Sequence, residues 1–189
     1  DPDTDPYKDN WNAELQNVLT TEIGEDNYDI GHLFHSGNGH GGNAGCIGCV
    51  CTDGQKGSAW SIGYFDGEPS DFFDFSLVAH EMGHQLGANH TFSMRSEGTG
   101  VNVEPGSGTT IMSYAGITGP DDVQVAADPY YHYVSIDQVI SNVKTKDCWT
   151  ASPISNAPPI ANAGIDYTIP KGTAFMLKGS ATDSDTGDV

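Results

Sequence analysis

The chain has 189 residues, which is enough for one domain with its own core, or for one domain and a small appendage. Its 26 acidic residues outnumber 7 basic ones and leave a formal net charge of −19, which argues against nucleic acid and anionic membrane surfaces as partners. No stretch approaches the roughly 20 apolar residues of a membrane span, and the N-terminus lacks a basic, apolar signal region, as expected for a mature or trimmed segment.

The first half of the chain predicts one helix and two strands. Apolar residues recur at helical spacing from Trp11 to Ile23, with Asn10 placed to cap this helix and Gly24 placed to end it. Residues 28–36 and 57–65 have the alternating character of strands.

The chain has four cysteines. Cys46, Cys49 and Cys51 lie between the two predicted strands, and Cys148 lies far downstream. A zinc ribbon would need a second close pair downstream, and only the lone Cys148 is there. Disulfides formed in an oxidising compartment are the better interpretation, and the spacing leaves all three complete pairings open.

The second half begins with the most regular helical pattern, over residues 74–86, and ends in a different composition. Ser135 and Gln138 have the spacing of a capping box ahead of a last helix. Residues 150–159 are a Pro/Ser/Asn linker, and residues 160–189 have the pattern of two short strands around a turn and an acidic loop. This tail is expected to be the truncated start of a β-rich module.

The stretch HEMGHQLGANH carries the chemistry of the predicted main domain. His80 and His84 are four residues apart, so on a helix both can direct a ring nitrogen at one metal ion. Gly87 can end the helix with a positive φ and return His90 toward the same ion. Three imidazoles favour zinc, and Glu81 is placed to act as a general base on a water at the metal.

These residues resemble the zinc signature of the metzincin endopeptidases, HExxHxxGxxH, and the later stretch TIMSYAG resembles their Met-turn. Flanking stretches are similar to the secreted bacterial reprolysin-like peptidases, which are relatives of the adamalysins. The resemblance implies zinc ligands at His80, His84 and His90, a general base and acid at Glu81, and a Met-turn residue at Met112. It implies an α/β metzincin catalytic domain over residues 1–149, with a twisted mixed sheet, an active-site helix and a small irregular C-terminal subdomain.

Three features depart from or extend this pattern. Residue 91 is Thr, where animal and snake-venom relatives usually have Asp. Tyr114 follows Met112 by two residues, as a tyrosine does in astacins and serralysins, and is either a zinc-directed or oxyanion-directed group or a packed side chain. Fewer residues precede His80 than in a complete reprolysin-like N-terminal subdomain, so the expectation is an upstream segment outside this chain or an abbreviated subdomain.

Two further groups of residues are weaker candidates for function. Calcium binding by carboxylates is one possibility, with helix capping as the alternative for those that precede the His80 helix. The candidate calcium ligands are Asp66, Asp71, Asp74, Asp183, Asp185 and Asp188. The resemblance also implies a strand at the edge of the cleft that pairs with an extended substrate, and residues 57–63 are the candidate. Its proposed substrate-binding residues are Gly57, Ser58, Ala59 and Trp60.

The predicted function is zinc-dependent hydrolysis of internal peptide bonds in extracellular proteins by a secreted, monomeric enzyme. Two alternatives stay open: a zinc-containing binding or adhesion module without catalytic activity, and an inactive fragment. The presence of Glu81 beside all three histidines argues against the first alternative.

Overall fold

A computed structural model of the chain describes residues 10–36, 39–63 and 72–185. The chain forms two compact units, Asp1–Trp149 and Thr150–Val189. Among the described residues, every helix and the larger of the two sheets belong to the first unit.

Helix α1, Trp11–Val18, begins as the sequence predicts, because the Asn10 side chain accepts a hydrogen bond from the Ala13 amide. It continues as a π-helical turn, Leu19–Ile23, and Gly24 ends it with a φ of 85°. A short 3-10 turn, Glu25–Asn27, follows. Helix α1 contacts the sheet through Trp11, whose ring packs edge-on against Trp60, and the buried Gln16 side chain accepts from the Gly57 amide just before β3 at 2.7 Å.

The main sheet has three strands in the order β1–β3–β2, where β1 is His32–Ser36, β2 is Gly41–Asn43 and β3 is Ala59–Gly63. Strand β3 pairs in parallel with β1 and antiparallel with β2. It therefore lies in the centre of the described sheet, with Ala59 and Ser61 fully buried. The expectation that residues 57–63 form the edge of a cleft is wrong, because both sides of β3 already have strand partners.

The central helical segment is longer than the sequence pattern indicates. A π-helical stretch, Phe72–Ala79, runs directly into helix α2, His80–Leu86. A short 3-10 turn, Gly119–Asp121, precedes the last helix.

Helix α3, Tyr133–Val143, forms where a last helix was expected but begins earlier. The capping residue is His132, whose side chain accepts from the Val134 amide, and Ser135 lies inside the helix. The predicted capping box is therefore wrong. Gln138 instead accepts a hydrogen bond from the Asn89 amide at 2.9 Å, so its side chain holds the turn after α2.

The cysteines form two disulfides, Cys46–Cys49 and Cys51–Cys148, which confirms the disulfide prediction and selects one of the three pairings. The first links positions 3 residues apart, whereas the second links positions 97 residues apart. Cys51–Cys148 thus joins the segment before β3 to the segment after α3, and encloses the whole of α2 in one covalent loop.

The second unit contains a two-stranded antiparallel sheet made of β4, Ile160–Asn162, and β5, Ser180–Thr182. The expected turn at Pro170 is present, with the Thr173 amide donating to the Pro170 carbonyl at 3.2 Å. Its strands are exposed on both faces, which agrees with a segment too short to bury a core. None of the helices in the described ranges has the length and apolar character needed to cross a membrane.

Replacing Cys51 and Cys148 together by Ser is expected to lower the free energy of unfolding by about 2 to 5 kcal/mol, because the lost cross-link closes a long loop. The matched control is the double Ser variant of Cys46 and Cys49, which opens a much shorter loop and is expected to lose less. Urea unfolding of both variants under oxidising conditions gives the comparison. An equal or larger loss in the short-loop variant would contradict the prediction.

Candidate metal centre

Three histidine rings converge beside α2. One ligand nitrogen from each of His80, His84 and His90 lies within 4.8 Å of the other two. His80 and His84 come from successive turns of α2, and the chain must reverse after Leu86 to bring in His90. Gly87 makes this reversal with a φ of 121°, a conformation that L side chains rarely adopt.

The reversal after α2 is held by helix α3 as well as by Gly87. A Cβ added at Gly87 would lie 2.7 Å from the Cβ of Asn142, so the backbone here approaches α3 too closely for a side chain. The Asn142 amide donates to the Leu86 carbonyl at 2.8 Å and satisfies the end of α2. With the Gln138 contact to Asn89, α3 fixes the backbone on both sides of the turn that delivers His90.

Each of the three rings has a partner at Nδ1. His80 Nδ1 lies 2.7 Å from the Ile111 carbonyl oxygen, and His84 Nδ1 lies 2.7 Å from the Ala88 carbonyl oxygen. His90 Nδ1 lies 3.0 Å from a carboxylate oxygen of Glu97. Because these oxygens only accept, each Nδ1 carries the proton and each Nε2 presents a lone pair.

The Nε2 lone pairs face one another, which fits a metal cation. His84 Nε2 and His90 Nε2 are 3.1 Å apart, and with both protons on Nδ1 neither can donate to the other. Burial lowers the pKa of His80 to about 3 and that of His84 to about 4, and it also lowers the pKa of His90. All three imidazoles are therefore neutral near pH 7, the form that binds zinc.

Glu81 lies beside this centre in a buried position, with 8% of its surface exposed. Burial raises its pKa to about 7, although a hydrogen bond from the Ala44 backbone amide acts in the opposite direction. Strand β2 passes directly against the side chain, since a Cβ added at Gly42 would lie 2.5 Å from Glu81 Oε1. A glycine at position 42 is therefore what allows this approach.

Met112 is fully buried beneath α2 in an apolar cluster with Ala88 and Ile111. A Cβ added at Gly83 would lie 2.4 Å from its sulfur, so the small residue between the two helical histidines makes room for the methionine. The Met112 carbonyl accepts from the Thr91 amide at 3.0 Å, which ties this turn to the residue after His90.

Tyr114 packs in an aromatic group around His90. Its ring centroid lies 4.6 Å from that of His90, 4.7 Å from that of Phe92 and 5.8 Å from that of His80. Burial is the main cause that raises the pKa of the phenol above its usual 10.0, so Tyr114 keeps its proton near pH 7.

Glu104 is a buried carboxylate that sequence reasoning missed, and it holds the turn before Met112. It accepts hydrogen bonds from the Thr109 amide at 2.9 Å, the Thr110 amide at 3.2 Å and the Thr110 hydroxyl at 2.6 Å. Burial acts to raise its pKa, but these hydrogen bonds outweigh burial and hold the pKa below the usual 4.5. A lone Glu before Pro-Gly carries no sequence pattern that would have revealed this role.

A cleft of about 620 Å³ opens over the histidines. One wall is β2 and the loop that follows it, and the opposite wall includes Tyr114, Ala115 and Ile117. The proposed substrate residues Gly57, Ser58, Ala59 and Trp60 are not part of the cleft lining within the described chain.

The candidate calcium ligands lack support among the described residues. Asp74 is exposed, Asp183 accepts from the Asp185 amide at 2.8 Å, and Asp185 accepts from the Ala157 amide. Asp66, Asp71 and Asp188 lie outside the described residues. Within the described ranges, two groups of side chains could hold a metal ion. One is the three histidines, and the other is Asp29 with Cys51 and Cys148, but the sulfurs of these two cysteines are joined in a disulfide.

One protein-family comparison found a match. The family model described as metallo-peptidase family M12B, reprolysin-like, matches residues 1–144. A search of curated proteins and a search of solved structures each found no match.

Replacing Glu104 by Gln is expected to lower the free energy of unfolding of the metal-free protein by about 1 to 3 kcal/mol at pH 7. Because the folded pKa lies below the unfolded value, the contribution of the carboxylate is present above pH 4.5 and is lost as the pH falls through the folded pKa. Urea unfolding of both proteins at pH 7 and at decreasing pH below 4.5 should show the difference shrinking. A difference that grew on acidification would contradict the role assigned to Glu104; Glu22→Gln, at an exposed position, is the control.

Proposed function

Because the chain belongs to the M12B reprolysin-like metallopeptidase family, we propose that it is a secreted zinc endopeptidase that hydrolyses internal peptide bonds of extracellular proteins. The observation that carries the proposal is the convergence of three neutral imidazoles beside a buried carboxylate, Glu81, in an open cleft. The two disulfides support an oxidising, extracellular location.

In this proposal His80, His84 and His90 hold zinc through their Nε2 atoms. Zinc supplies Lewis-acid activation of a water molecule and stabilises negative charge on the substrate carbonyl oxygen. The protein contributes by fixing the three tautomers through the Ile111, Ala88 and Glu97 acceptors, so that no ligand has to release a proton when the metal binds.

Glu81 is the proposed general base and acid. Its position beside the histidines lets it take a proton from the attacking water and later deliver this proton to the leaving amine. Burial raises its pKa to about 7, which makes its protonated form accessible near neutral pH. The Ala44 amide and the close packing of Gly42 orient the carboxylate before the substrate arrives.

The substrate backbone is proposed to pair with β2, Gly41–Asn43, rather than with residues 57–63. Strand β2 lies at the edge of the described sheet and lines the cleft beside Glu81. An extended peptide could add to this edge through main-chain hydrogen bonds, with its side chains directed alternately toward and away from the cleft. Ile117, on the opposite wall, would contact a substrate side chain.

Tyr114 is proposed as a hydrogen-bond donor to the developing oxyanion. Support comes from its place in the cleft lining and from the raised pKa, which keeps its hydroxyl proton available. A purely packed tyrosine is the competing role, because its ring contacts both Phe92 and His90.

Replacing Glu81 by Gln is expected to lower kcat by about 10²- to 10⁴-fold, because general-base catalysis is lost while the ligands remain. Casein cleavage, zinc content and chelator sensitivity should be measured together. The Glu81→Gln protein should still hold about one zinc per chain, whereas His84→Ala should lose both zinc and activity; Glu22→Gln, at an exposed site, should retain both. Parent protein with bound zinc and no chelator-sensitive cleavage would support the binding-module or inactive-fragment alternative.

Replacing Gly42 by Ala is expected to lower kcat by about tenfold or more with little change in zinc content, because the added methyl group would displace the Glu81 carboxylate. Gly39→Ala is the matched control in the same segment, since a Cβ there would meet no atom within 4 Å. Equal kcat values for the two variants, measured on one peptide substrate, would show that the position of Glu81 does not depend on β2.

A further inference from the structure

The third histidine differs from the other two in what holds its ring. His80 and His84 donate from Nδ1 to backbone carbonyl oxygens, whereas His90 donates to the Glu97 side chain at 3.0 Å. His90 is also the one member of the group that lies outside α2, on a turn. The ring that receives least support from helix geometry is therefore the ring that has a charged partner.

Glu97 is brought to His90 by a specific loop contact. The Asn102 side chain accepts from the Glu97 amide at 3.1 Å, and its own amide donates to the Phe92 carbonyl at 2.8 Å and to the His90 carbonyl at 3.3 Å. Asn102 thus joins the backbone that carries Glu97 to the backbone that carries His90. These Asn102 hydrogen bonds hold the two parts of the loop together, and Glu97 therefore lies beside His90.

Phe92 and Arg95 also lie next to the hydrogen bond between His90 and Glu97. Phe92 is fully buried and stacks on the His90 ring, with centroids 5.0 Å apart. The Arg95 guanidinium lies 5.3 Å from the Phe92 ring centroid and 3.6 Å from a Glu97 carboxylate oxygen. The His90 ring is therefore packed by an aromatic face while its Nδ1–H points at the carboxylate.

We propose that Glu97 is a positioning residue for the metal centre, which orients His90 and strengthens zinc binding through the Nδ1–H to carboxylate hydrogen bond. The inference rests on the proposed zinc site. A carboxylate acceptor fixes the tautomer that leaves Nε2 free for the metal, and it increases the electron density of the ring more than a neutral carbonyl does.

A simple surface ion pair between Glu97 and Arg95 is the competing role. The Arg95 side chain is 62% exposed, and exposed ion pairs contribute little. The contact to His90 is shorter, at 3.0 Å against 3.6 Å, and the Glu97 side chain is only 26% exposed. The two roles predict different effects for variants of Arg95 and Glu97.

The test measures the zinc dissociation constant of the full chain at one pH, by competition with a chromophoric chelator, together with the melting temperature of the metal-free protein. Glu97→Ala is expected to weaken zinc binding by about 10- to 100-fold. Glu97→Gln, which keeps an acceptor oxygen and loses the charge, should fall between Glu97→Ala and the parent. Metal-free melting temperatures should stay close to that of the parent, because the role acts through the metal.

Two control variants separate the roles. Arg95→Gln removes the ion pair and keeps the His90 contact, so it should bind zinc like the parent. Asp137→Asn removes one negative charge from an exposed position on α3 and should also leave zinc binding unchanged.

Equal zinc affinity in Glu97→Ala and the parent would overturn the proposal, as would an Arg95→Gln effect as large as that of Glu97→Gln. A loss confined to the melting temperature of the metal-free protein would also overturn it, because that pattern marks a structural role. These outcomes differ from failure of the proposed function, in which the parent itself would bind no zinc or would cleave no protein.

Discussion

The approach of His84 Nε2 to His90 Nε2, 3.1 Å apart, is the constraint on which the rest of the site depends. With the protons held at Nδ1, two lone pairs face each other in a largely buried space, and no group among the three rings can donate to relieve the repulsion. Such an arrangement is favourable only around a cation. The surrounding structure must therefore fix the three rings in positions that bring their Nε2 atoms together.

Three separate devices supply that restraint. Gly87 and the α3 side chains Gln138 and Asn142 fix the turn that returns His90, and the Ile111 and Ala88 carbonyls fix the rings on α2. The third device is the loop that ends at Met112, which is organised by the buried carboxylate of Glu104 and joined to the residue after His90 through the Thr91 amide. The long Cys51–Cys148 disulfide then holds the chain segments on either side of these elements together.

The sequence was informative where local spacing determines geometry. The i, i+4 relation of His80 and His84, the start of α1 at Trp11 and the presence of a last helix all depend on near neighbours in the chain. Strand order depends on pairing between distant segments, which is why the sequence predicts an edge position for residues 57–63 although β3 lies in the centre of the described sheet. Ser135 satisfies the capping-box pattern, yet α3 begins two residues earlier, at Tyr133, with His132 as its cap.

Side-chain partners distant in sequence were the least predictable part. Glu97 and Glu104 occur in a Gly/Ser/Thr-rich stretch that indicates only a loop, and their roles depend on how that loop folds over His90 and Thr110. Because the loop is irregular, side chains satisfy several of its backbone groups that a strand partner would otherwise satisfy. Asn102 and Glu104 do this with their polar side chains, and the same folding places Glu97 at the ring of the third histidine.

Strand β2 links the proposed substrate site to the proposed base more directly than any other element. Its three residues form one edge of the described sheet, Gly42 packs against Glu81, and Ala44, which follows the strand, donates its amide to that carboxylate. A peptide paired with this edge would therefore lie on the same short stretch of backbone that orients the base. Glycines at positions 41 and 42 suit both the pairing with a peptide and the contact with Glu81. They place no side chain on the surface that would face the substrate, and none between β2 and the Glu81 carboxylate. Substrate alignment and base orientation are in this view two consequences of one backbone placement.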